Sequence, residues 1–194
     1  MTDATAESGT LRDRQAALTR QLILDAAVAQ LESGDFHVTM RSVAVGAGIA
    51  ERTVFRYFAT REDLLDGLAA DVSARFQLPS LPETAADLPN AVRGMYRAFE
   101  KHSNLTLAAL RSELFDRIRL SVADARWRAI RALLDEHAPH RAERERMLAA
   151  ANIRYLLAAT SWHYYRFYFG FSLADSVAAV EWAIRQAVDE LRAD

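Results

Sequence analysis

The fold is decided by residues 39–58, TMRSVAVGAGIAERTVFRYF. Two short amphipathic segments, Thr39–Ala47 and Ala50–Phe58, meet at Gly48 and Ile49. Small residues allow two helices to cross closely, an apolar residue fits the turn, and the second segment carries polar residues that face outward. The stretch therefore predicts a helix-turn-helix. Small residues beside a turn also occur in ordinary helical bundles, so the motif alone leaves both interpretations open.

Helical periodicity continues on both sides of this motif, and strand signals are nearly absent. Apolar residues at helical spacing predict a first helix from about Leu18 to Glu32 that ends at Gly34. Thr60 is placed to cap a fourth helix behind the motif. Two long helices, Arg141–Phe169 and Ser172–Leu191, are predicted to end the chain. The predicted fold class is all-α.

The chain is expected to divide into a small head and a larger body. Prolines at 79, 82 and 89 mark the boundary between them. We predict a disordered tail over residues 1–17, a helix-turn-helix domain over 18–60, a connecting helix over 61–78 and a larger helical domain over 79–194.

Composition is that of an ordinary globular protein, with 194 residues and a formal net charge of −2. The stretch 36–61 is locally basic, since four arginines stand there against Glu51 alone. Cysteine is absent, which excludes disulfides and thiolate metal sites and suits a reducing cytosol. Residues 1–10 lack the apolar core of an export signal. We expect a cytoplasmic protein.

At these residues the sequence resembles the DNA-binding domain of the TetR family of transcriptional regulators. The resemblance rests on ILDAA (23–27), Gly34, TMRSVA (39–44), Gly48-Ile49, TVFRYF (53–58) and REDLL (61–65). It implies a three-helix DNA-binding head on a helical ligand-binding body. It also implies a homodimer formed through the last two long helices, which usually represses transcription until a small molecule releases it from a palindromic DNA operator.

Three positions depart from the family's usual residues. Ala50 replaces a frequent serine and loses a capping oxygen worth about 1 kcal/mol. Phe55 replaces a frequent tyrosine and cannot hydrogen-bond phosphate. Arg61 replaces a lysine, keeping the charge and gaining a planar fork that suits phosphate. These departures do not undermine DNA binding, but they make the operator sequence unpredictable from relatives.

The resemblance implies that the second motif helix enters the major groove. Arg52 and Thr53, in its first turn, are placed to contact base edges. Thr39 and Arg61 start the flanking helices and suit phosphate contacts, as does Tyr57 at the far end of the motif helix. Arginines on a short helix are otherwise ordinary surface charges. The predicted DNA-binding residues are Thr39, Glu51, Arg52, Thr53, Phe55, Arg56, Tyr57 and Arg61.

Aromatic, histidine and arginine side chains on the body helices are candidates for lining a pocket for a small, largely apolar effector. Ordinary core packing is the alternative for each of them. Arg166 needs a negative partner, which we expect to be a ligand carboxylate, Asp175 or Glu181. The predicted ligand-binding residues are Phe99, His102, Trp127, Tyr155, Trp162, His163 and Arg166.

The last helix carries an apolar stripe at helical spacing. This stripe predicts either an intramolecular core or the seam of a homodimer, and the resemblance favours the seam. The aromatic segment 155–171 before it contains His163 and Arg166, which argues against a membrane helix. The predicted dimerisation residues are Val177, Val180, Ile184, Val188 and Leu191.

An enzyme and a helical adaptor protein are the rival classes. A di-iron site in a helical bundle needs Glu-x-x-His, which does not occur in this sequence. Glycine-rich phosphate loops and cysteine nucleophiles are also missing. A protein-binding adaptor would leave the arginines of the second motif helix unexplained. The sequence therefore predicts no catalytic activity, no metal and no cofactor, with an operator DNA, a second copy of the chain and an effector as partners.

Overall fold

The computed structural model describes residues 10–192, with only the backbone described for residues 121–123. This part of the chain contains helices and no β-strand, which confirms the predicted all-α fold. The helices are α1 (Leu11–Glu32), α2 (Met40–Gly46), α3 (Glu51–Tyr57), α4 (Arg61–Phe76), α5 (Leu88–Lys101), α6 (Ser103–Arg111), α7 (Leu114–His137), α8 (Glu143–Leu156), α9 (Ala159–His163) and α10 (Leu173–Arg192). A 3₁₀ turn, Ala85–Asp87, precedes α5, and a π-helical turn, Tyr164–Tyr168, follows α9.

Tertiary contacts divide the chain into two compact units, with the boundary inside α4 between Asp71 and Val72. We call the first unit the head and the second unit the body. Helix α1 begins at Leu11, so the predicted disordered tail is wrong for residues 11–17. The cause is a capping box: Thr10 Oγ1 accepts a hydrogen bond from the Asp13 backbone, and the Asp13 carboxylate accepts one from the Thr10 backbone. Residues 1–9 lie outside the described part of the chain.

Apolar side chains at helical spacing hold the head together. Helix α2 packs against both α1 and α3. The apolar positions at this spacing in α1, α2 and α4 are buried, whereas Ala47 after α2 is only half-buried. The buried apolar residues of the head are Ile23, Leu24, Ala27, Val28, Leu31, Val38, Met40, Val43, Ala44, Val54, Phe58, Leu64, Leu65, Leu68 and Ala69.

The turn between α2 and α3 depends on a glycine. Gly48 has φ +65°, a left-handed backbone conformation that costs a residue with a side chain free energy. Its amide donates to the Val45 carbonyl, and the Ile49 amide donates to the Ala44 carbonyl, so the carbonyls at the end of α2 are satisfied. The chain therefore reverses within four residues and starts α3 at Glu51.

The body is built around α5 and α10, which pack closely, with α7 and α8 packed on each other beside them. The apolar stripe of α10 lies in this core with at most 6% of each side chain exposed. The predicted dimer seam at Val177, Val180, Ile184, Val188 and Leu191 is therefore wrong, because α5 of the same chain already covers that face.

The predicted helix Arg141–Phe169 is also wrong as a single element, because the backbone breaks between α8 and α9. Ala158 has an extended conformation there. The Tyr96 hydroxyl donates to the Leu156 carbonyl at 3.0 Å, and its oxygen lies 3.0 Å from Ser161 Oγ. Tyr96 is fully buried, and burial raises the pKa of its hydroxyl. A side chain 60 residues away in the sequence thus satisfies the carbonyl that the break leaves free.

We expect Gly67→Ala to destabilise the head. A Cβ at this position of α4 would lie 2.6 Å from Cε1 of the buried Phe58 ring. Overpacking costs roughly 1–3 kcal/mol, more than the gain of up to about 1 kcal/mol in helix propensity. Circular dichroism should record a lower midpoint of thermal unfolding. The control is Gly46→Ala, whose Cβ would lie 3.5 Å from Ala26 Cβ, an ordinary contact. Equal midpoints for the two variants would contradict this account of the packing.

Candidate functional sites

Helix α3 presents two faces of opposite character. Val54 and Phe58 are buried and fix the helix in the head. Arg52 and Arg56 are exposed, and Phe55 exposes 46% of its surface. Because Val54 and Phe58 face inward, Arg52, Phe55 and Arg56 lie on the outer side of the helix. The head therefore presents a short helix with two arginines and an aromatic ring on its outer face.

The helix starts on either side of α3 are also defined. Thr39 caps α2 through hydrogen bonds with Ser42, whereas Ala50 gives α3 no side-chain cap, as its methyl group requires. The Arg61 guanidinium, at the start of α4, donates from Nε to the Val38 carbonyl at 2.7 Å. Arg61 thus links the start of α4 to the residue before the α2 cap.

Tyr57 is held within the head. A hydrogen bond with the Thr19 side chain lowers the pKa of its hydroxyl. The Arg56 guanidinium carbon lies 5.4 Å from the centre of the Tyr57 ring, a cation–π contact. Of the eight predicted DNA-binding residues, Glu51, Arg52, Phe55 and Arg56 are exposed, while Thr39, Thr53, Tyr57 and Arg61 are half-buried at the edges of the same motif.

The body contains a cavity of about 550 Å³, which lies within the usual range of small-molecule sites. Helices α5 to α8 supply most of its wall. Its lining is apolar apart from two threonines, a tyrosine, a tryptophan and three arginines. The lining residues are Phe76, Leu78, Phe99, Thr106, Ala109, Leu110, Phe115, Ile118, Arg119, Arg126, Trp127, Ala151, Arg154, Tyr155, Leu157, Ala158, Ala159 and Thr160.

Three of the seven predicted ligand-binding residues, Phe99, Trp127 and Tyr155, line this cavity. The other four do not, so the prediction is wrong for them as lining residues. His102 packs edge-on against Phe76. His163 stacks on Phe167 at 5.6 Å, and burial lowers the pKa of its imidazole. Trp162 and Arg166 belong to a separate ion-pair network.

Glu100 on α5 is the centre of that network. Arg166 donates to its two carboxylate oxygens at 2.7 and 2.9 Å, and the buried Trp162 donates from Nε1 at 2.9 Å. The bonds from Arg166 lower the pKa of the Glu100 carboxyl, against an opposing effect of burial. The partner of Arg166 is therefore Glu100, and the expectation of Asp175, Glu181 or a ligand is wrong.

The sequence reading missed the three arginines of the cavity wall. Arg119 and Arg126 lie seven residues apart on α7, which places both on one face of the helix. Arg154 lies on α8, which packs against α7. The sequence signal for two of them is the spacing of Arg119 and Arg126, which repeats arginine two helical turns apart. Both positions fall on the inward-facing side of a segment that is otherwise amphipathic.

Residues 10–192 contain no candidate for a membrane span or for a metal site. Within this range no helix has the length and apolar character needed to cross a membrane. No group of three histidine or acidic residues among them is arranged to hold a metal ion.

One segment of the sequence and the fold of the chain are similar to those of known transcription regulators. Residues 23–68 match the profile described as bacterial regulatory proteins, tetR family. No curated protein sequence matches this one. Three of the solved structures that share the fold do so at low sequence identity. They are the fatty acid degradation regulator FadR from Bacillus halodurans (19% identity, TM-score 0.60, 86% of this chain and 94% of that one), a TetR-like transcriptional regulator from Rhodococcus sp. RHA1 (17%, 0.58, 89% and 97%) and the multidrug binding protein EbrR complexed with imidazole (21%, 0.52, 89% and 93%).

The fold is thus a helix-turn-helix head followed along the chain by a larger helical domain. The resemblance predicted from the sequence is confirmed: residues 23–68 form the TetR-family segment, and the chain as a whole has the fold of TetR-family transcriptional regulators.

We expect Glu100→Gln to lower the melting temperature at pH 7 and to have little effect at pH 3. Because the pKa of Glu100 is lowered in the folded protein, its ion pair stabilises the folded state at pH values above the pKa of the unfolded state, about 4.3. This stabilisation is lost as the pH falls through the pKa of the folded state. Melting curves at both pH values measure the difference. Glu136→Gln, at an exposed position of α7, is the control and should change little at either pH. An effect of Glu100→Gln that is equal at pH 7 and pH 3 would rule out the ion pair as its cause.

Proposed function

We propose that this protein is a one-component transcriptional repressor and not an enzyme. It binds a palindromic operator as a homodimer in the cytoplasm, and a small, largely apolar ligand in the body releases it. Residues 18–60 carry DNA binding, residues 61–78 connect, and residues 79–194 carry ligand binding and dimerisation. The observation that carries the proposal is the outer face of α3, where exposed arginines and an aromatic ring stand on a rigid support in a TetR-family segment.

Within the head, the side chains divide into base readers and phosphate anchors. Arg52 is exposed in the first turn of α3 and has the fork to bind O6 and N7 of guanine, with Thr53 beside it. Thr39, Tyr57 and Arg61 lie at helix ends and suit phosphate. The Arg56 guanidinium lies near the Tyr57 ring. Because Tyr57 is assigned to phosphate, this position favours a phosphate contact for Arg56 over a contact with a base.

The dimer is proposed to use a different face from the one predicted from the sequence. On α10, Ala174, Ala178 and Trp182 are exposed at a spacing of four residues, and Trp182 exposes 65% of its surface. On α8, which packs against α10, Leu148 and Tyr155 are also exposed. Exposed apolar side chains on two neighbouring helices are typical of an interface. A palindromic operator also requires a two-fold reader.

Release by a ligand requires the two binding events to weaken each other by the same factor. A ligand can shift the dimer between states only by its different affinity for them. We propose that α4 carries this coupling, since the helix begins at Arg61 and ends at Phe76, which lines the cavity.

We expect Arg52→Ala to weaken binding to DNA that flanks the protein's own gene by about 1–3 kcal/mol and to relax the preference at one operator position. Arg61→Gln keeps a donor for the Val38 carbonyl but removes a charge. It should weaken operator and random DNA alike and make the salt dependence shallower by about one unit per half-site. Fluorescence anisotropy against both DNAs at several salt concentrations measures the effects.

Leu120→Glu, at an exposed position of α7, is the control for both variants and should bind DNA as the wild type does. The reading orientation would be wrong if Arg52→Ala weakened all DNAs equally while Arg61→Gln changed base preference. The proposed function itself would be wrong if the wild-type protein preferred no flanking sequence over random DNA.

We expect the protein to sediment at about twice 21.7 kDa at micromolar concentration and Trp182→Glu to shift it toward the monomer. A charge placed in an apolar seam costs free energy because it loses its water without gaining a partner. Leu120→Glu adds the same charge at an exposed leucine outside α8 and α10, and should leave the dimer intact. A dimer that tolerates Trp182→Glu would place the seam elsewhere, and a wild-type monomer would contradict the two-fold reading of DNA.

A further inference from the structure

The three arginines of the cavity wall form a cluster of like charges. Arg119 and Arg126 project from one face of α7 with about 10 Å of helix between them. Arg154 on α8 is close enough for its charge to act on Arg126, and Arg119 acts in turn on Arg154. Burial and these positive neighbours lower the pKa of Arg126 and of Arg154, yet an arginine keeps its charge at neutral pH.

Two arginines of the cluster, Arg126 and Arg154, lack the negative charge that such groups normally have beside them. Within residues 10–192, neither Arg126 nor Arg154 forms an ion pair, and the only side-chain partner of Arg126 is the sulfur of Met95 at 3.4 Å. Arg119 pairs with Asp116 at the exposed rim, 3.3 Å away. No acidic residue lines the cavity. Half-buried charges without a partner cost free energy, and an anion placed among them would recover it.

The rest of the cavity has the opposite character. Phe76, Phe99, Leu110 and Trp127 present an apolar wall, and the Thr106 hydroxyl is already bonded to carbonyls at the end of α5. A small inorganic anion would leave this apolar wall in contact with water. A neutral apolar molecule would leave the arginines without a partner. An anion with an apolar body satisfies both parts of the wall at once.

We propose that the cavity binds an anionic amphiphile, a molecule with an apolar body about the size of a medium-length acyl chain and an acidic head group bound by Arg126 and Arg154, with Arg119 at the rim. One part of this proposal, that the molecule is the effector that releases DNA, rests on the proposed function. A carboxylate and the phosphates of an acyl-coenzyme A thioester supply the same head-group chemistry, and the experiment separates them.

Isothermal titration calorimetry of the full-length protein with dodecanoate, 1-dodecanol and dodecyltrimethylammonium, all below their micelle concentrations, tests the charge requirement. The three probes share one alkyl chain and differ in the charge of the head. Dodecanoate should bind at one molecule per chain and at least about tenfold more tightly than the alcohol, with the ammonium weakest. Tighter binding of dodecanoyl-coenzyme A would identify the phosphates as the natural head. Equal affinity of the carboxylate and the alcohol, or no binding by saturated carboxylates from octanoate to hexadecanoate and their thioesters, would overturn the proposal.

Variants locate the site. Arg154→Gln and Arg126→Gln should each weaken dodecanoate binding roughly ten- to a hundredfold, the loss expected for a charge-assisted hydrogen bond, and change dodecanol binding less than about threefold. Arg144→Gln, at an exposed position of α8, is the matched control and should change neither. Without ligand, the two cavity variants should melt at the same temperature as the wild type or higher, because repulsion between like charges is relieved. If both variants failed to fold, the arginines would be structural and the proposal wrong.

Adding dodecanoate to the complex with operator DNA separates this proposal from the proposed function. Arginine-dependent binding that leaves DNA affinity unchanged would keep the anion site and contradict release by this ligand. Release by a neutral compound, with no binding of the anionic series, would keep the repressor and contradict the anion site.

Discussion

The position of α3 depends on the burial of two side chains. The helix has only seven residues, too few to be stable in water by itself, and its first turn lacks a side-chain cap at Ala50. Val54 and Phe58 hold it against the rest of the head, and Phe58 fits because residue 67 of α4 has no side chain to displace it. Everything that the outer face of α3 does, including the direction of Arg52, follows from that contact.

The head could be predicted from the sequence because its signals are local. A threonine cap before α2, a glycine with a left-handed backbone after it and apolar residues at helical spacing each act over a few residues. The capping pair Thr10 and Asp13 is an equally local signal, and it starts α1 at Leu11 within the predicted tail. The stripe on α10 shows a different limit. Periodicity shows that a helix has an apolar face but not which surface covers it, and here that surface is α5 of the same chain.

The body was predicted less well because its determinants are far apart in the sequence. The break after α8 is stabilised by Tyr96, and the charge of Arg166 is balanced by Glu100, each from about 60 residues away. No pattern within α8 or the π-helical turn points to these partners. Phe99, Trp127 and Tyr155 could be predicted as lining residues because aromatic side chains are common in pockets. The same statistical argument also selects Trp162, which does not line the cavity.

Two sets of arginines in the body show how partners separate a structural charge from one available for binding. The Glu100 carboxylate accepts hydrogen bonds from both Arg166 and Trp162. These bonds complete a local network that needs no further molecule. Arg126 and Arg154 instead repel each other and lie in a wall that is mostly apolar. Composition treats all three residues alike. Natural proteins tolerate a local violation of charge pairing chiefly where function requires it, because the free energy that such a site lacks in the empty protein becomes available to a ligand of the right charge. The cavity arginines are that violation, and Arg166, paired with Glu100 in the same unit, shows that this fold satisfies an arginine where only stability is at stake.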